Sequence, residues 1–193
     1  MRILFISLFC LGLPFVWPVA AQDSLPMGTD SGVLTAMLDV PEPVLKRVTG
    51  GTITSLYGIP VGTIDSVGNY TVQPALPGDL DILFVRGPNS DEVVLIGYEH
   101  DSMVDITVTS TALSMLLMFD PGNATLDLPG KLDLMKTYQA NNDFPTFHDS
   151  VEKSLISGAS PSSPSNRTMI SLMSKIQKNA PRLEAPSAIT SNY

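Results

Sequence analysis

The hydrophobic period of this 193-residue chain changes once, after Val108. Before that point, short β-type runs alternate with turn residues. After it, apolar residues recur at helical spacing. A chain divided in this way falls in the α+β class. The expected architecture is a small antiparallel β-sandwich over about 32–106, followed by a helical C-terminal region over about 108–180.

The strands are read from their punctuation. Gly32 to Val40 supplies a first strand. Thr52–Leu56 ends at Tyr57-Gly58, and Val61–Ile64 ends at Asp65-Ser66-Val67-Gly68. Asn69–Gln73 alternates and stops at Pro74. Leu80–Arg86 and Glu92–Tyr98 are separated by Gly87–Asp91, which predicts an antiparallel hairpin.

The helices are read from their stripes. Thr109 or Ser110 is placed to cap a helix that runs to Phe119 and stops at Asp120-Pro121-Gly122. Its apolar residues cover nearly the whole circumference, so it is expected to be buried and to tie the two regions together. Residues 131–139 bring Leu132, Met135 and Tyr138 to one side. A helix is expected from Pro145 to Ile156, where Phe144, just before it, and Phe147, Val151 and Leu155 fall at i, i+3, i+7 and i+11. Gly158–Ser165 reads as a Ser/Pro linker. Asn166 then caps a last helix to about Asn179, striped by Met169, Ile170, Met173 and Ile176. Residues 181–193 read as a disordered tail.

Residues 1–21 have the order of a secretory signal: Arg2, an apolar run from Ile3 to Val16, and small residues at Val19 and Ala21. Residues 22–31 read as a flexible leader. The expected location is therefore secreted or periplasmic, with no membrane span after signal removal. Cys10, the only cysteine, lies inside the signal, so the mature chain must rest on a packed core without disulfides. The formal net charge is −8, which disfavours phosphate backbones and predicts no nucleic-acid partner.

Candidate chemistry is sparse. His-Asp-Ser occurs at His100–Ser102 and again at His148–Ser150, and these hold the only two histidines. Consecutive residues point apart, so neither tripeptide forms a catalytic triad alone. Both read as surface polar residues. No Gly-x-Ser-x-Gly elbow and no phosphate-binding loop is present. Asp79, Asp81, Asp91, Glu92, Glu99, Asp101 and Asp105 crowd one stretch. They lack the tight oxygen-rich loop of a calcium site and read as a solvated strand edge, charged against aggregation. No catalytic, cofactor-binding or metal residue is assigned.

Thr49-Gly-Gly-Thr-Ile-Thr, Tyr57-Gly-Ile-Pro-Val-Gly62, Asp65-Ser-Val-Gly-Asn-Tyr-Thr-Val72, Leu76-Pro-Gly78 and Leu80–Val85 occur in an order that resembles the carboxypeptidase-regulatory-like, or transthyretin-like, β-sandwich module. The resemblance covers about residues 49–98. The stretch from Val61 to Asp65 is shorter than the corresponding part of that family. The resemblance implies a non-catalytic spacer, binding or assembly module and transfers no functional residue.

The expected function is an exported, non-enzymatic binding or structural module, with the C-terminal helices as a route to a protein partner and no cofactor. One alternative is a secreted hydrolase with a non-standard site using His100 or His148. Another is a truncated module of a longer exported protein.

Overall fold

A computed structural model describes residues 32–73, 78–101 and 103–180. The signal, the leader and the C-terminal tail expected from the sequence lie outside the described residues. Seven strands come first: β1 (Leu34–Met37), β2 (Thr52–Ser55), β3 (Pro60–Ile64), β4 (Asn69–Val72), β5 (Asp81–Arg86), β6 (Val93–His100) and β7 (Met103–Asp105). A short helix, α1 (Glu42–Val48), interrupts them after β1. Four longer helices follow: α2 (Val108–Met118), α3 (Leu128–Gln139), α4 (Phe144–Ile156) and α5 (Arg167–Asn179). The α+β class and the order of strands before helices are as the periodicity predicts.

The strands form one antiparallel sheet in the order β1-β4-β3-β2-β5-β6-β7. The sheet curls until its two ends approach each other. Asp39, just after β1, forms an isolated bridge with Thr107, just after β7. Across the same gap the Tyr70 hydroxyl on β4 donates to the Val104 carbonyl on β7 at 3.2 Å. The β region is therefore a single, nearly barrel-like sheet, and curling gives it the enclosed core that a sandwich obtains from two layers.

Local chemistry fixes the turns. The Asp65 carboxylate accepts from the Val67 and Asn69 amides, both at 2.9 Å, and from the Asn69 side chain. These bonds hold its carboxyl below the usual range, the Asn69 side chain first. Gly68 has φ of +91° there, the left-handed region that the turn requires. Tyr70 and Val72, two residues apart on the next strand, are both buried on one face. The 87–91 turn joins β5 to β6 as an antiparallel hairpin, with Asp81 opposite Glu99 and Phe84 opposite Ile96.

One correction concerns the acidic stretch. β5 and β6 are interior strands, because β2 covers one side of β5 and β7 lies beyond β6. Asp81 and Glu99 are accordingly buried, at 2% and 3% exposure, and do not form a solvated edge.

The cap of α2 lies two residues before Thr109 and three before Ser110, the expected positions. Thr107 is the N-cap: its hydroxyl accepts from the Ser110 amide at 3.0 Å, and the Ser110 hydroxyl accepts from the Thr107 amide at 2.7 Å. β7 pairs with β6 only at Tyr98, Glu99 and His100, which leaves the earlier β6 edge without a strand among the described residues. The buried hydroxyls of α2 replace that strand. Thr111 Oγ1 accepts from the Ile96 amide at 3.2 Å and lies 2.8 Å from the Ile96 carbonyl. Ser114 Oγ donates to the Gly97 carbonyl at 3.3 Å. α2 thus ties the sheet to the helices, as its all-round apolar surface predicts.

The remaining helices pack against α2 and one another. Phe144, Phe147, Val151 and Leu155 of α4 are all buried, as their spacing predicts. On α5, Met169, Met173 and Ile176 are buried, while Ile170 remains 38% exposed. The α5 stripe is taken up in the core. The Gly158–Ser165 segment is also fastened: Ser160 Oγ donates to the Val93 carbonyl at 2.8 Å, and Arg47 donates to the Leu155 and Gly158 carbonyls.

Candidate functional site

The strongest site lies where β5 begins. Leu56, Tyr57, Leu80, Ile82, Leu117 and Met118 supply the apolar wall of a cleft of about 250 Å³. Asp79, Asp81, Asn123 and Lys131 supply its polar groups. Each is set by its element. The β2–β3 turn carries Leu56 and Tyr57, the last turn of α2 carries Leu117 and Met118, and the first turn of α3 carries Lys131.

The polar groups are unequally satisfied. Lys131 Nζ sits 3.0 Å from Asp79 Oδ1, which also accepts from the Leu80 amide at 2.7 Å. The Lys131 hydrogen bond holds the Asp79 carboxyl below its ordinary value, with the Leu80 amide adding to the effect. Asn123 donates to the Leu117 carbonyl. Asp81 differs. Its Oδ2 is buried and has no hydrogen-bond partner among the described residues. Burial pushes this carboxyl up, against the opposing effect of the Leu56 and Ile82 amides that bond it. An ionised group held in this way is costly unless something pairs with it.

The rim is apolar. Leu56 is 46% exposed, Tyr57 70% and Ile59 53%, so one hairpin tip presents three large side chains to solvent beside the cleft. An apolar cleft with a few convergent polar groups is the usual form of a small-ligand site.

No family model, curated protein or solved structure matches the chain. The assignment of the site therefore rests on geometry.

The two histidines lie elsewhere and in different surroundings. His100, at the end of β6, is only 14% exposed in its side chain and stacks on Tyr98 with ring centroids 6.1 Å apart. Its Nδ1 is 3.8 Å from Asp101 Oδ2. The Tyr98 hydroxyl bonds Asp105 at 3.3 Å, and burial with that carboxylate pushes its pKa up to about 12. His148, on α4, is 27% exposed in its side chain. Neither histidine is the freely solvated surface group expected from the sequence, because strand end and helix face each press one side of the ring into the fold.

His148 also has a hydroxyl neighbour. Its Nε2 is 3.2 Å from Thr109 Oγ1 on α2, and its Nδ1 is 3.8 Å from Asp149 Oδ1. The two residues line an open cleft of about 470 Å³ with Asp39 and Glu152. A hydroxyl beside an imidazole is the start of a nucleophile–base pair. At 3.8 Å the carboxylate is beyond hydrogen-bond distance of the ring and does not fix its orientation. His148, Asp149 and Glu152 have ligand atoms within 4.8 Å of one another and could hold a cation. Sequence reasoning missed the Thr109–His148 pairing, because it joins positions 39 residues apart.

Proposed function

We propose that the chain is an exported, non-enzymatic binding module whose ligand site is the cleft at Asp81. The observation that carries this reading is that Asp81, a residue lining a largely apolar cleft, has a buried oxygen without a hydrogen-bond partner among the described residues. A ligand that reaches it would relieve a cost that the free protein bears, which favours binding over a purely structural role for the residue. Export is supported by the signal-like order of residues 1–21. The turn residues that resemble the carboxypeptidase-regulatory-like module are compatible with a non-catalytic role. No helix among the described residues is long and apolar enough to cross a membrane. With the α5 stripe taken up in the core, the surface offered to a protein partner moves from the C-terminal helices to the hairpin tip at Leu56, Tyr57 and Ile59.

Methionine-methyl NMR tests the site. A panel of small apolar fragments should move the Met118 resonance saturably. Shifts at other methionines with Met118 unmoved would refute the assignment.

The Thr109–His148 contact supports a second reading, a hydrolase in which His148 draws the proton from the Thr109 hydroxyl. Its test is the Thr109→Val/His148→Ala double variant. On the binding-module reading, this variant keeps the biological role and unfolds within about 1–2 kcal/mol of the parent, as expected for two half-buried contacts. A folded variant with the role abolished would transfer the function to the His148 cleft.

A further inference from the structure

The chemistry of the Asp81 cleft also selects a class of ligand, an inference that rests on the cleft being the binding site. We propose that it takes a primary alkylammonium group, carried by a small free amine or by a lysine side chain, with the ammonium on Asp81 and the alkyl stem along Leu117 and Met118.

Charge is the first argument. The lining of the cleft holds two carboxylates, Asp79 and Asp81, against one cation, Lys131, and the buried Glu99 stands opposite Asp81 on β6. Lys131 Nζ is engaged by Asp79 at 3.0 Å. One further positive charge balances the site, and Asp81 Oδ2 is the acceptor left for it. An anionic ligand would meet an unpaired carboxylate in a cleft whose cation is already occupied. A neutral alcohol could donate one hydrogen bond but would leave the charge uncompensated, and bonds between ionised groups are the stronger kind.

Shape is the second argument. The volume of about 250 Å³ falls below the roughly 300–1,000 Å³ of sites for drug-sized molecules, which restricts the occupant to a short chain or ring. The walls are aliphatic and thioether, with Leu56, Leu80, Ile82, Leu117 and Met118. An ammonium has three donors on a compact head, and its stem is apolar. Tyr57 at the exposed rim can lie against that stem as it leaves the cleft.

Protonation gives the third. Burial favours the neutral Asp81 carboxyl and the Asp79 charge adds to it, against the Leu56 and Ile82 amides, while Glu99 lies opposite on β6; an ammonium beside Asp81 favours the ionised form. Binding should therefore release protons when the pH lies near the raised Asp81 value, and affinity should fall as the pH is lowered through it.

The test is calorimetric titration of the full mature chain with hexylamine, hexanol and hexanoate, which share a stem and differ in head group. A fourth titrant, Nα-acetyl-lysine amide, offers the same ammonium on a peptide unit. Hexylamine should bind at least roughly tenfold more tightly than hexanol, and hexanoate should give no heat of binding. Asp81→Asn should remove the preference for the amine over the alcohol, bringing the two affinities within about threefold of each other. Tighter binding of the lysine derivative than of hexylamine would assign the ammonium to a protein partner, and the reverse to a free amine. Hexanol binding as well as hexylamine would overturn the ammonium assignment and leave the cleft as the site. No response to any of the four probes would overturn both.

Discussion

Phe147→Ala should lower the unfolding free energy by about 3–5 kcal/mol, the cost of removing a buried aromatic side chain whose cavity refills only in part. Phe147 is fully buried on α4. Its ring centroid lies 6.5 Å from that of Phe144, with the planes tilted at 54°. α4 packs against both α2 and α5, so the cavity would open where three helices meet. A single domain has only ~5–15 kcal/mol of stability in all, so the variant should be close to unfolding at physiological temperature. Urea unfolding followed by circular dichroism would measure it. Thr146→Ala, one residue away on the exposed face, should stay within about 0.5 kcal/mol of the parent. Equal losses at the two positions would mean that α4 is seated with a different face inward.

Thr111→Val should cost about 2–4 kcal/mol, although valine has nearly the same shape. The Thr111 hydroxyl accepts from the Ile96 amide, and its oxygen lies 2.8 Å from both the Ile96 and the Thr107 carbonyls, which share its one proton. A buried backbone group left without a partner costs about 1–3 kcal/mol, and here the amide loses its acceptor while the carbonyl keeps only a 3.4 Å contact from Ser110. Thr111→Ser keeps the hydroxyl and removes a methyl, a loss of about 1 kcal/mol. Chemical denaturation should rank them parent, Ser, Val. A valine variant as stable as the serine variant would show that the hydroxyl bonds contribute little and that the helix is held by apolar contacts alone.

These two sites differ in how legible they were. The α4 face is written in the spacing of four apolar residues, because a helix repeats its core contact within the segment itself. The β6 edge is not. Ser110, Thr111 and Ser114 look like weak helix formers until the early end of β7 gives them backbone groups to serve. α1 was missed for a related reason. With seven residues it shows only Val44 and Val48 as a buried pair, too short for a stripe. Its end signals were present: Pro43, Glu42 in the first turn, and Lys46 with Arg47 in the last.

The Asp81 cleft was the least legible part. Asp81 opens a strand and sits among other acids, which from sequence alone resembles a charged edge. Its burial depends on strand order, which places β5 between β2 and β6, and on α2 and α3 closing over its start. Those pairings join residues far apart in the chain. The unpartnered acid is a departure from what folding alone would favour, and such departures concentrate at functional positions.

That departure is best measured through the pH dependence of stability in the parent and in Asp81→Asn. An unfolded chain releases the Asp81 proton in the ordinary carboxylate range, near 3.8, whereas the folded chain, with its pKa raised by burial, holds that proton to higher pH. Between these values the folded state binds more protons than the unfolded one, so the residue's contribution to stability falls as the pH rises and levels off above the folded value. Asparagine keeps the carbonyl that accepts from the backbone and has no charge to bury. Urea unfolding from pH 3 to pH 8 should show the variant gaining on the parent as the pH rises through this window, and remaining the more stable protein at neutral pH. A variant that instead loses ground as the pH rises would mean that the Asp81 carboxylate is paired within the fold, and the Asp81 cleft would no longer be the ligand site.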